Sequence, residues 1–490
     1  MKNNKVLALL ACGAIVLSAC GQSTNDTTSE ETSVSVEASA ESSNESEEIT
    51  DDVEAQDTET QNAETADASE SDSSEGSSKD SETSDTSKDS KTSGSKKEKS
   101  GDSDKTSEDS SSEGTLAYSL SDGEEITEGT YTAENEDESA IGANGSVTAT
   151  ITNATIEKLS GDATSADSSS FEGVNAAVRV YDSATVTIKD STVTATADNA
   201  TGVFAYDGGT IYISDSTVDV TGGGAGGIQV AGGGTLYAEN LTVTSASKAA
   251  IRSDRGGGTL VVNKGTYTST GTGGCPAIYS TADITVTDAE CISENSRAVI
   301  IEGKNSVVLE NCTLSGNDQS TKEGSIKANV LLYQSASGDA EDGTSVFTMN
   351  GGSMVSNSGA MFYCTNTSSV INLSDADLEL SDTGEFLIVS AGRWGSDGSN
   401  GGTVELNADN QTIEGTITVD EISSLTLNLT GSEFEGSINT DGEAGSVSVT
   451  LDDDSKWVLT GDSYITEFDG DTDNIETNGY HVYVNGEELV

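Results

Sequence analysis

The chain is 490 residues long, carries a formal net charge of −63 and contains one histidine, one proline and six cysteines. A polymer this acidic repels nucleic acid and anionic lipid, so the charge argues against both as partners, although an acidic surface also serves solubility alone. With His481 as the single histidine and no Cys-x-x-Cys pair, the composition also argues against a zinc site.

Residues 1–19 read as a secretion signal. Lys2 and Lys5 precede the apolar run 6–17, which ends in Leu17-Ser18-Ala19-Cys20. That tetrapeptide looks like a bacterial lipobox, in which Cys20 is lipidated after cleavage. The run is too short to span a bilayer, and nothing later is apolar enough to do so, which leaves the lipid as the expected anchor. This places the protein on the extracellular face of a bacterial cell membrane. Residues 20–113 are almost entirely Ser, Thr, Glu, Asp, Ala and Lys, without an aromatic side chain. Such a stretch cannot bury enough apolar surface to offset its chain entropy, so it is expected to be a disordered acidic tether. The acid is shared along the chain. The first 113 residues carry 9 Lys and Arg against 28 Asp and Glu, and the remainder 13 against 57.

Residues 114–455 show a repeat of roughly 25 positions, aligned on an apolar anchor at Ile141, Val178, Val203, Ile228, Ile251, Ile278, Val299, Val330, Met361, Leu387, Ile413 and Ile438. Apolar residues recur two, eight and ten positions after the anchor, as in Val178, Val180, Val186 and Ile188. Position +12 is Asn153, Asp190, Asp215, Asn240, Asn263 and Asn311 in six of the first seven units. Two-residue alternation broken at Gly, Asp and Asn corners reads as short strands with one buried face, coiled into stacked rungs. About twelve rungs at roughly 4.8 Å each would make a rod of about 55–60 Å. Stacking in register should turn the +12 residues into a corner ladder of short polar side chains that tolerate tight turn angles. No helical periodicity is present. Departures from the unit length mark loop insertions near 161–173, 316–327, 337–343 and 392–402, the last carrying an exposed-looking Trp394 beside Arg393. Residues 456–490, with Trp457, Tyr480 and Tyr483, read as a C-terminal cap.

Four cysteines follow the lipid site. The Asp288/Asn311 register places Cys291 against Leu314 and Cys312 against Ala289. These two are therefore diagonal neighbours, which permits a disulfide, while buried free thiols are the expected state for them and for Cys275 and Cys364.

The rungs and the Asx ladder, over about residues 139–450, resemble the right-handed parallel β-helix of the pectin-lyase-like superfamily. They resemble especially the adhesin-like surface lipoproteins that share this scaffold in anaerobic Gram-positive bacteria. The resemblance implies an all-β, single-stranded right-handed parallel β-helix. It implies no one activity, since the scaffold hosts lyases, hydrolases, esterases and binders. The Gly-His-Gly and Arg-x-Lys motifs of the galacturonan hydrolases do not occur in this chain.

The best local constellation follows the anchor strand, whose outward positions hold Arg179, Phe204, Gln229, Arg252 and Tyr279, then Tyr181, Tyr206 and Asp254. Asp182 and Asp207 should stack one rung apart at the next turn, with Arg255 two rungs on. Paired carboxylates can share a proton or hold calcium, and arginine can neutralise an acidic sugar. Tyrosine rings can stack on pyranose rings. Arg179, Tyr181, Tyr206, Arg252 and Asp254 therefore outline a candidate glycan-binding strip, and Asp182, Asp207, Arg252 and Arg255 would serve if the protein were an enzyme. Stacked Asp and outward Tyr are also ordinary features of β-solenoids, and the insertions could cover this face. Asp469, Asp471 and Asp473 alternate as a calcium loop does, but the sixth-position glycine is missing and Tyr480 stands where a bidentate Glu belongs. The expectation is a lipid-anchored surface module that binds polysaccharide or host glycan, with calcium as the only cofactor the pattern suggests. A lyase or esterase acting on acidic polysaccharide, and a structural spacer, are the alternatives.

Overall fold

A computed structural model describes residues 113–490, except 323, 324, 443 and 444. The signal segment, Cys20 and the tether up to residue 112 lie outside the described residues.

The described chain is a parallel β-helix. One all-parallel sheet is fifteen strands deep, from Thr115–Ser119 to Ile475–Glu476, and holds the anchor strands. A second sheet of twenty-two strands forms the other two faces. Its two columns are joined where Gly234–Ser245 and Gly258–Gly273 run round the intervening corner without a break. Near the C-terminus, Lys456–Leu459 and Ile475–Glu476 still extend the anchor sheet, while Ser463–Ile465, Val482–Val484 and Glu487–Glu488 make a small closing sheet.

Register follows the apolar pattern for most of the length. Ile141, Val178, Val203, Ile228, Ile251, Ile278, Val299 and Val330 pair in succession, and all are fully buried. Two anchors differ from the expectation. Val330 pairs with Phe362 rather than Met361, because all six residues of Ala360–Thr365 are buried and alternation no longer reveals which face points inward. Leu387 pairs with Ile417 rather than Ile413. Ile413 is buried on the preceding face, against Phe434 and Trp457, because Thr412–Val419 carries two faces in one strand.

The corner ladder is present and is built on left-handed backbone. Asn153, Asp190, Asp215, Asn240, Asp288 and Asn311 have φ of 53°, 50°, 48°, 53°, 51° and 53°. Asx residues adopt this conformation with least penalty, since a short side chain compensates locally. Corner amides also link the rungs: Asp190 donates to the carbonyl of Ser214 (3.2 Å), and Asp215 to that of Glu239 (3.0 Å). The place assigned to Asn263 belongs instead to Lys264, with φ of 58°. The extra glycine turn 256–258 shifts that rung by one, so Asn263 pairs with Glu239 on the outward side.

The insertion at 161–173 holds a helix, Ala166–Glu172, capped by Ser165 at its start and by left-handed Gly173 at its end. Seven residues are too few for a helical period to stand out from sequence.

Asn240→Ala should destabilise the fold by about 1–2 kcal/mol, the penalty for a β-carbon in left-handed backbone, and Asn240→Gly by clearly less. Urea denaturation followed by circular dichroism measures both, and equal losses would contradict the conformational account.

Candidate functional site

The outward column of the anchor sheet is as expected in register: Arg179, Phe204, Gln229, Arg252 and Tyr279 stack one per rung. It is not open to solvent. Phe204 and Gln229 are fully buried, and Arg179 and Arg252 are only 3% and 7% exposed. The insertions form a roof over the strip. The Gln229 amide donates to the carbonyl of Ser170 at 2.8 Å, and Lys248 Nζ donates to Ser170 Oγ at 2.5 Å. Further along, Arg297 reaches the carbonyl of Ile326 (2.9 Å) and the buried carboxylate of Asp318 (3.1 Å).

Buried charge must be paired or hydrogen-bonded, and each arginine of the strip is so engaged. Arg179 donates to the carbonyls of Glu172 (2.9 Å) and Glu113 (2.7 Å) and lies over the Tyr181 ring. Arg252 grips Asp254 through Nε (2.9 Å) and Nη2 (2.8 Å) and covers Tyr279. Asp254 is itself 2% exposed and also receives the Arg255 amide. Burial, helped by the charge of Arg252, pulls Lys248 down to about 8.

The remaining strip residues lie nearer the rim. Tyr181 and Tyr206 are half-buried, and the Tyr181 hydroxyl accepts from Asn144 at 2.8 Å. Asp182 and Asp207 are exposed left-handed turn residues one rung apart. Arg255 occupies the same corner two rungs on, where Gly232 donates to its carbonyl. Its guanidinium turns away to Asp339 (Nε, 2.9 Å) and packs over Phe171, so it joins two parts of the roof. The structure thus brings Arg252 to Asp254 and Asp182 to Asp207, but it does not bring a free arginine to the carboxylate pair.

Among the described residues, no group of three or more His, Cys, Asp or Glu is arranged to hold a metal ion. Asp471 instead caps the short turn Thr472–Asn474, accepting from the Asp473 amide at 3.0 Å.

Sequence reasoning missed a second polar centre, four rungs beyond Tyr206 in the outward column. Glu302 is 1% exposed and accepts hydrogen bonds from Tyr279 (2.5 Å), Tyr333 (2.9 Å), Ser335 and Ser337 (3.4 Å). Four hydroxyls replace the water this carboxylate has lost. Burial, with Tyr333 and Glu302 alongside, raises the Tyr279 hydroxyl well above its ordinary range. The signal was available: Glu302 sits three positions after Val299, as Tyr181 does after Val178. Trp394 is half-buried rather than exposed, packed against Tyr333 at 4.5 Å with Arg393 over its ring.

The loop held by Glu302 forms one wall of an open cleft of about 830 Å³. Its lining includes Ser335, Asp342, Asn366, Thr367, Ser368 and Ser399. Hydroxyl, amide and carboxylate groups of this kind exchange hydrogen bonds with a polyhydroxylated ligand without demanding a charge on it. No protein-family model, curated protein or solved structure matches this chain.

The four thiols are free and buried, and burial pushes Cys275 up to about 11 and Cys364 up to about 12. Iodoacetamide at pH 8 should therefore alkylate Cys275, Cys291, Cys312 and Cys364 at least ten times more slowly in the native protein than in urea. Peptide mass spectrometry reads the difference. Glu302→Gln replaces an acceptor-only group by one that also donates, so it should free the covering loop. Hydrogen exchange should accelerate across 334–343 and stay unchanged in the rungs beneath.

Proposed function

We propose that this chain is a surface lipoprotein, anchored through Cys20, whose β-helix binds carbohydrate in the manner of an adhesin. The observation that carries the reading is the cleft beside Ser335, Asn366 and Ser399, a solvent-open concavity lined by groups that pair with sugar hydroxyls. The acidity of the domain, 57 Asp and Glu against 13 Lys and Arg, favours a neutral or cationic glycan over a polyuronate. It likewise makes nucleic acid a poor partner. The membrane attachment and the kinship with pectin-lyase-like surface proteins belong to this reading and rest on the lipobox and the Asx-cornered rungs.

The alternative, a lyase or esterase of acidic glycans, has less support. It needs an arginine free to meet a uronate beside Asp182 and Asp207, and Arg179, Arg252 and Arg255 are held by Glu172 and Glu113, Asp254, and Asp339. Calcium at Asp182 and Asp207 would have two protein carboxylates and depend on the ligand for the rest.

A glycan array probed with full-length protein carrying Cys20→Ser tests the reading. Binding to neutral or amino-sugar glycans is expected, falling about fivefold or more with Asn366→Ala and Asp342→Ala, since each loses about 1 kcal/mol or more of hydrogen bonding. No binding anywhere on the array would refute carbohydrate recognition.

A further inference from the structure

The second sheet carries an aromatic feature on a face that none of the insertions described above covers. Tyr212 and Tyr237 occupy the same outward position on successive strands, paired directly in register. Their side chains are 45% and 38% exposed, on a protein whose other outward positions are mostly Thr, Ser, Asp and Glu. The ring centroids are 5.0 Å apart and the planes differ by 8°. That separation matches the spacing between rungs, about 4.8 Å. The rings are therefore nearly parallel and stacked one rung apart along the column.

A stacked pair has two outer faces, and the register says what lies beside each. The next residue of the column beyond Tyr212 is Thr187, and beyond Tyr237 it is Val261. Thr187 is exposed, and a threonine side chain ends at its γ atoms, well short of a tyrosine ring. The outer face of Tyr212 consequently rises as a bare wall over the strand Thr185–Lys189. The floor below that wall presents Thr185, Thr187 and Lys189, each in register with the strand carrying Tyr212. Lys189 lies 3.7 Å from Asp215, so the far end of the floor is a loose ion pair. On the other side valine replaces the central threonine, with Thr259 and Asn263 flanking Val261.

We infer that the notch between the Tyr212 ring and the Thr185–Lys189 strand holds one pyranose residue of a neutral or amino-sugar glycan, stacked as the next layer of the aromatic column. The inference rests on the carbohydrate reading above and adds a second contact on a different face. A sugar ring has about the thickness of one stacking layer, so it fills the vacancy left by Thr187 without disturbing the sheet. Its weakly positive C–H face meets the electron-rich face of Tyr212. In this pose the sugar ring lies parallel to the ring of Tyr212. The glycan chain then runs along the strand, and its lower edge meets the hydroxyls of Thr185 and Thr187, each able to donate and accept. Charge selects the class of sugar: an aromatic face attracts a cation, and the acidic domain repels a carboxylate. A polyuronate is disfavoured on both counts.

The test uses full-length Cys20→Ser protein with cellohexaose, mannohexaose, chitohexaose, the chitosan hexamer and hexagalacturonate as probes, each titrated by NMR or calorimetry. At least one of the first four should bind and hexagalacturonate should not. Tyr212→Ala should weaken that binding at least tenfold, and Tyr212→Phe should keep it, because the ring face is the contact. The decisive variant is Thr187→Tyr, which gives up one floor hydroxyl and fills the vacancy with a third ring. It should abolish binding at this face while leaving thermal stability unchanged or raised. If Tyr212→Ala and Thr187→Tyr bind as the wild type does while Asn366→Ala does not, the notch is overturned and the cleft reading survives. If the wild type binds none of the five probes, both fall together.

Discussion

Everything in this molecule depends on stacking identical main-chain geometry at one spacing. Each rung satisfies its backbone donors and acceptors only through the rung above and the rung below, so every turn of the coil must leave its corner at the same height and in the same direction. The left-handed Asn and Asp corners enforce this. They turn the chain from one face to the next within one residue, and their amides join the inter-rung ladder rather than breaking it. Where glycine takes the corner, as at Gly351 and Gly431, the same dihedral is reached without a side chain. The apolar columns inside specify the same register, since a one-residue slip would turn them outward.

Once register is fixed, the exterior becomes a set of columns, and the fate of each column depends on what covers it. The anchor-sheet column pairs long cations with a roof made of inserted segments. Without that roof Arg252 and Asp254 would be a screened surface pair contributing little. Under it they are desolvated, and the geometry around them must be complete: two nitrogens on one carboxylate oxygen, a ring beneath, and the Gln229 amide beside them. Glu302 obeys the same logic with hydroxyls in place of arginine. Ordering of the roof and burial of the strip are one event, which is why the carbohydrate reading moves from the strip to the cleft and to the uncovered tyrosine column.

Much of the fold was legible because each early strand buries one face, so the alternation around Val178 or Val203 fixes both the strand and its inward side. Legibility failed where that condition failed. At Met361 and Phe362 both faces are buried, and at Thr412–Val419 two faces share one strand, so apolar spacing alone cannot assign the anchor. The candidate site was harder for a different reason. The stacking of Arg179, Gln229 and Arg252 follows from the repeat, but their burial comes from 161–177 and 334–343, whose Ser-, Gly- and Asp-rich sequences carry no periodic sign of where they dock. Tyr212 and Tyr237 sit on a different face from the strip, and the same 25-residue spacing shows that they stack.

The roofed cations carry a consequence for durability. Trypsin-class proteases need an accessible Lys or Arg, and this domain has few to offer: 13 in residues 114–490. Lys158, Arg179, Arg252 and Arg297 are all nearly or completely buried. The contacts that hold the insertions down therefore also hide a good part of the few bonds such a protease could cut. The packing that buries the strip thus doubles as protection against that class of protease.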